Sequence, residues 1–200
     1  MRPTIVYLHG FRSSPQSVKA RALVAAVEAL PARARPLLHV PFLRFAPRAA
    51  VDAVAAWVRA NVADPAAELT LVGSSLGGFY ATHLAQALRA RAVLINPAIR
   101  PYDDLASYVG EQANMYSGET FVVTPAHFAE LRALAVERPA HPERFLLMVQ
   151  SGDEVLDWRE AVAFYGGAWQ LVEGGGDHGF RGFETQIPAL LRFAGVEIGS

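Results

Sequence analysis

A chain of 200 residues fits one domain and is long enough to bury a substantial core. Its net charge of −1 leaves no electrostatic footprint for nucleic acid or anionic lipid, and the absence of cysteine excludes disulfides, thiolate zinc sites and cysteine catalysis. No apolar run approaches the roughly 18 residues of a membrane span, while 52% hydrophobic against 18% charged residues suits a parallel sheet covered on both faces.

Short β-branched or apolar runs alternate with alanine-rich stretches of helical period, the pattern of repeated βα units. Thr4 to Leu8 is a first strand; as a core strand it is no discardable leader, so the expected location is cytoplasmic. A Gly/Ser/Pro loop leads to a helix from about Ser17 to Leu30, stopped by Pro31. Leu37 to Val40 is a second strand, and Arg48 to Asn61 a helix with Val51, Val54, Ala55 and Val58 at helical spacing. Leu69 to Val72 and the helix from Phe79 to Leu88 make the third unit, and Arg91 to Ile95 is a fourth strand ended by Asn96-Pro97. Residues 100–124 lack clear periodicity yet carry Tyr102, Tyr108, Met115, Tyr116 and Phe121, which favours a lid-like insertion over a disordered loop. Pro125 to Val136 is helical, Phe145 to Gln150 a fifth strand, Trp158 to Phe164 a helix and Trp169 to Val172 a sixth strand. Phe183 to Phe193 closes the chain as a helix kinked at Pro188, and no linker or internal repeat interrupts residues 1–200.

Between the third strand and its helix stands Gly73-Ser74-Ser75-Leu76-Gly77, a Gly-x-Ser-x-Gly pentapeptide. A serine hydroxyl reacts at neutral pH only when it projects toward a base, and a strand-to-helix turn with strained backbone angles makes Ser75 do so. The base and the acid that orients it have candidates in loops after the fifth and sixth strands: Ser151-Gly152-Asp153-Glu154-Val155 and Gly174-Gly175-Gly176-Asp177-His178-Gly179. The order Ser75, Asp153, His178 is that of α/β-hydrolase triads. Asp157 and Glu154 compete with Asp153 as the acid; Asp177 reads as a turn or cap residue. His83 lies two turns into the elbow helix, and His39, His127 and His141 lack a glycine-rich setting after a strand, so these four read as packing or surface residues. For the oxyanion of acyl transfer, the expected donors are the backbone N–H of Leu76 and that of Phe11 in His9-Gly10-Phe11, with His9 as support for the loop. No metal-ligand spacing and no nucleotide-binding glycine pattern is present, so no metal and no cofactor are expected.

His9-Gly10-Phe11, Ser13-Ser14-Pro15, Gly73 to Gly78, Asn96-Pro97-Ala98, Gly152 to Asp157 and Gly175 to His178 together resemble the small bacterial YqiA/YcfP-type α/β-hydrolases. The likeness runs from Ile5 to about Phe193 and includes Arg100-Pro101-Tyr102 and Gly110-Glu111. It implies a cytoplasmic serine esterase, with acyl thioesters such as acyl-CoA among its substrates. It also implies a six-stranded, mostly parallel sheet in the order 2-1-3-4-5-6 with helices on both faces, lacking the N-terminal antiparallel hairpin of larger hydrolases. The function expected is hydrolysis of a small-molecule ester through Ser75, His178 and Asp153, with Tyr102, Tyr108, Met115, Tyr116 and Phe121 lining an acyl pocket. The alternatives are an acyl-CoA thioesterase or acyltransferase, and a non-catalytic binding protein on the same scaffold; neither oligomeric state nor acyl length is written in the sequence.

Overall fold

The computed structural model describes residues 2–198. In chain order the elements are β1 (Thr4–Leu8), α1 (Val18–Ala29), β2 (Leu37–His39), α2 (Pro47–Asn61), the short α3 (Pro65–Glu68), β3 (Leu69–Ser74), α4 (Leu76–Leu88) and β4 (Arg91–Ile95). There follow α5 (Pro101–Asp104), β5 (Gly110–Ala113), β6 (Thr120–Val123), α6 (Pro125–Leu134), β7 (Phe145–Gln150), α7 (Trp158–Phe164), β8 (Trp169–Glu173) and α8 (Ile187–Phe193).

Six strands form one sheet in the order β2-β1-β3-β4-β7-β8, every neighbouring pair parallel. With β7 and β8 counted as the fifth and sixth sheet strands, this is the expected order 2-1-3-4-5-6. Successive residues of a strand point to opposite faces, and the central strands are mainly apolar on both, so each face receives its own core. Val6, Leu8, Leu71, Leu94 and Leu147 meet Val51, Val54 and Val58 of α2, Phe79 and Leu84 of α4 and Leu131 of α6. Ile5, Tyr7, Val72, Val93, Ile95 and Met148 meet Leu23 and Val27 of α1 and Leu190 and Leu191 of α8. Each such side chain contributes roughly 1.5–3 kcal/mol by leaving water. The register aligns Leu8 with Gly73 and Ser74 with Ile95, which brings the loops after β1, β3 and β4 to one edge of the sheet.

Two expectations change. Residues 100–124 are not irregular: they hold α5, a 3-10 turn at Ala106–Tyr108, and β5 and β6 paired antiparallel with Gly110 opposite Val123. Both strands have only four residues, and β5, Gly-Glu-Gln-Ala, has no β-branched residue to announce it, so the β-branched run of β6 had no visible partner. Pro188 does not kink a helix either. Phe183–Gln186 is a separate 3-10 turn, and Pro188 occupies the first turn of α8, where its missing N–H has no bond to lose.

Candidate active site

Ser75 sits between β3 and α4 with φ 55° and ψ −122°, a conformation costly to a residue with a Cβ. The neighbourhood holds it there. The Ser75 N–H donates to Ile95 O (3.1 Å), and its carbonyl accepts from Gly78 N (2.9 Å) and Ala98 N (3.1 Å). The flanking glycines are required by proximity: a Cβ at position 73 would lie 2.2 Å from Gly77 O, and one at position 77 would lie 2.0 Å from Leu8 O. With the turn so tight, the Ser75 side chain stands clear of its own strand and faces the loop after β8.

In that loop His178 turns its Nε2 to 3.1 Å from Ser75 Oγ, while its Nδ1 lies 2.8 Å from Asp153 Oδ2. Asp153, in the loop after β7, is almost wholly buried, with 2% side-chain exposure. Burial alone would favour the neutral acid, but the His178 hydrogen bond, the N–H groups of Leu156 and Val155 and the histidine's charge outweigh it, holding Asp153 below the ordinary carboxylate value. The rivals for this position are engaged elsewhere. Asp157 caps α7 by accepting from Arg159 N (3.0 Å), Glu154 accepts from His178 N (3.0 Å), and Asp177 accepts the Phe180 N–H on its carbonyl in a turn (3.0 Å).

The other histidines have structural partners. His83 meets Leu134 O at 2.9 Å, His39 stacks on Trp57 at 4.0 Å, and His127 Nδ1 accepts the Thr124 N–H at 3.0 Å. His141 approaches Glu143 at 3.3 Å. His9 accepts from Leu43 N on Nε2 (3.1 Å), which leaves Nδ1 to donate to Gly10 O (3.1 Å); this neutral tautomer agrees with burial lowering its pKa. His9 thereby braces the loop after β1. Gly10 passes so near the elbow that a Cβ there would lie 3.2 Å from Ser75 Cβ. The backbone N–H groups of Phe11 and Leu76 have no acceptor among the described residues.

Two cavities flank that loop and share Gly10, Phe11 and Ser13. One, about 420 Å³, is lined by Ser75, His178, Tyr7, Lys19, Met115 and Tyr116. The other, about 400 Å³, is lined by Leu76, Phe42, Leu43, Phe45, Tyr80 and Phe121. Of the aromatic and methionine residues expected to line a pocket, Met115 and Tyr116 therefore face the serine cavity and Phe121 the apolar one. Tyr102 and Tyr108 line neither: Arg132 lies over the Tyr102 ring at 5.2 Å, and Tyr108 packs edge-on against Phe11 at 5.4 Å. They anchor the 100–124 segment, as long-loop aromatics do.

Sequence reasoning missed the residues that hold the histidine loop. Gln150, the last residue of β7, is 3% exposed; its Oε1 accepts from Asp177 N (3.1 Å) and Arg181 N (2.8 Å), and its Nε2 donates to Glu173 Oε2 and Arg181 O (both 2.7 Å). Asn96, just past β4, accepts from Gln150 N (3.0 Å) and donates to Asp177 O (3.0 Å) and His178 O (3.2 Å). Their signal was an amide at the end of an otherwise apolar strand. The Gln150 amide also explains the last glycine of the run: Gly176 has φ +76°, and a Cβ there would lie 2.0 Å from Gln150 Oε1.

The family profile of the uncharacterised protein family UPF0227 matches residues 4–195. The chain belongs to that family. UPF0227 membership agrees with the resemblance seen in the sequence, and the fold is that of α/β-hydrolases. Mouse alpha/beta hydrolase domain-containing protein 10 matches with a TM-score of 0.69 at 17% identity, over 96% of this chain and 90% of that one. Est1E from Butyrivibrio proteoclasticus, with ferulic acid bound, matches with a TM-score of 0.68 at 15% identity, over 96% and 87%. The esterase domain of a Rhodothermus marinus protein gives 0.69 at 17% identity, over 97% and 88%. At such identities the likeness is one of fold. The structural neighbours are hydrolases and esterases. Among the described residues no helix is long and apolar enough to cross a membrane, and no group of three His, Asp or Glu side chains is placed to hold a metal ion.

Proposed function

We propose that this UPF0227 member is a serine esterase that hydrolyses small carboxylic esters through an acyl-enzyme. The observation that carries the reading is the continuous chain Ser75 Oγ, His178 Nε2, His178 Nδ1 and Asp153 Oδ2, with separations of 3.1 and 2.8 Å. In this reading Ser75 Oγ attacks the ester carbonyl as His178 takes its proton, and Asp153 fixes the histidine tautomer and stabilises the imidazolium. The carbonyl oxygen gains negative charge, which the N–H groups of Phe11 and Leu76 stabilise by several kcal/mol. Collapse of the tetrahedral intermediate breaks the C–O bond, and His178 returns the proton to the departing alcohol. Water, deprotonated by the same histidine, then attacks the acyl-enzyme and regenerates Ser75.

A fluorophosphonate probe should label the wild type at Ser75, and Ser75→Ala should abolish labelling and lower kcat on the order of 10³-fold or more. The Ser75→Ala protein should remain folded, since the substitution removes one oxygen. Comparing oxygen esters with thioesters of the same acyl group tests the leaving group. No labelling in a folded wild type would favour a binding protein on a hydrolase scaffold instead.

A further inference from the structure

The two cavities differ in what they offer a substrate. The 420 Å³ cavity contains Ser75 and His178, and its walls include Lys19, Asp177, Arg181 and Glu184. In the 400 Å³ cavity the walls include Phe42, Leu43, Phe45, Tyr80 and Phe121, reached from the elbow past Leu76 and Phe11. Several of its polar wall groups are already occupied: His9 bonds Leu43 N and Gly10 O, Arg12 Nε donates to Ala113 O (2.9 Å), and Asn114 Nδ2 donates to Ser13 O (2.7 Å), while Arg44 and Glu119 add charge to the same lining. The larger share of the lining is aromatic and aliphatic, and an apolar ligand group meets that surface on several sides. Phe42 and Phe45, each 53% exposed, leave apolar rings uncovered at the rim.

Proton transfer decides which half of an ester goes where. The leaving group must come within hydrogen-bond reach of His178 Nε2 to receive its proton, so it occupies the cavity that His178 lines. The oxyanion points at the loop between the cavities, and the acyl substituent takes the remaining direction, past Leu76. We infer that the cavity behind the oxyanion loop is the acyl pocket, so that the substrates are esters of apolar acids with polar alcohol portions. The pocket walls come mainly from the loops after β1 and β2, with Leu76 and Tyr80 of α4; residues 100–124 contribute only Asn114, Glu119 and Phe121. This inference rests on the serine-esterase reading.

The test is the ratio of kcat/KM for a hexanoyl ester to that for an acetyl ester of the same alcohol. In the wild type it should rise with each methylene by up to about fourfold, equivalent to the ~0.8 kcal/mol of burying one, until the pocket is filled. Ala49→Phe, which projects a ring into the apolar cavity, should lower the ratio tenfold or more. Phe45→Ala, a rim truncation with little demand on folding, should lower it about threefold by removing a wall. Val18→Trp narrows the serine cavity; it should leave the ratio within twofold and depress turnover of esters with bulky alcohols. If wild-type Ser75 is labelled by the phosphonate but neither Ala49→Phe nor Phe45→Ala changes the ratio, or Val18→Trp changes it most, the assignment of the pockets is overturned and the esterase reading stands. If wild-type Ser75 is not labelled, both fall.

Discussion

Gln150 does for the histidine loop what the glycines do for the elbow: it removes alternatives. Its amide engages Asp177 N, Arg181 N and Arg181 O, so the loop carrying His178 is fastened to the end of β7, the strand that also leads to Asp153. Gln150→Leu keeps the volume but strands two backbone N–H groups, each costing about 1–3 kcal/mol when left unbonded. Urea unfolding should show a loss of about 2–4 kcal/mol, with kcat reduced beyond what the folded fraction explains; an unchanged unfolding midpoint would refute the fastening role. A second contrast tests the acid. Asp153→Asn should lower kcat by about 10³-fold or more, since an amide opposite Nδ1 favours the wrong tautomer, while Asp157→Asn keeps a competent helix cap and most activity. Equal losses would transfer the role to Asp157. The difference between these two kinds of residue marks what a sequence discloses. Ser75, Asp153 and His178 were legible because chemistry restricts residue type, strand-end position and order at once. Gln150 and Asn96 were not, because a single amide at a strand end fits many roles until its partners are known.

The β5–β6 hairpin acts on the site as an element. Its turn is latched to the loop after β1: Met115 N donates to Arg12 O (2.8 Å), Arg12 Nε to Ala113 O (2.9 Å) and Asn114 Nδ2 to Ser13 O (2.7 Å). Asn114 also organises the turn, its Oδ1 accepting from Tyr116 N (2.9 Å) and Ser117 N (3.1 Å). Arg12 itself has φ 56°, a conformation the latch helps to hold beside the Phe11 N–H. Asn114→Ala removes three of these bonds at the periphery of the fold. Steady-state kinetics on an acetyl ester should show kcat lowered about tenfold with KM little changed, and global stability reduced by no more than about 1 kcal/mol. A rise in KM alone would make the hairpin a substrate contact, not a brace. The six sheet strands could be anticipated because short β-branched or apolar runs mark them; the hairpin could not, since β5 carries no such run and the bonds that seat the hairpin on the fold reach residues about a hundred positions away.

Across the whole molecule, charge is sparse, and two ionisable groups near the cleft, Asp153 and Lys19, contribute to the pH dependence. Asp153 is held below its ordinary value of 3.8, so its contribution to stability is present above that value and lost as pH falls through the lower folded one. Lys19 behaves in the opposite sense. It is the single lysine among 18 lysine and arginine residues, it lines the serine cavity, and its Nζ donates to Gly179 O at 2.7 Å, one residue from His178. Burial outweighs the attraction of Asp177 and Asp153 and pushes its pKa down to about 8. Below about pH 8 the amine is charged in both folded and unfolded chains, and the folded state bears the whole cost of burying that charge. Between about 8 and the ordinary 10.5 the folded protein sheds the proton while the unfolded chain keeps it, so this group makes stability climb with pH. Lys19→Met removes the titration but retains the aliphatic stem. Urea unfolding at pH 7 and pH 10 should therefore give the wild type a stability change more positive than the variant's by about 1–3 kcal/mol. Equal changes in the two proteins would mean that Lys19 keeps an ordinary amine pKa, with water reaching its nitrogen in the folded state.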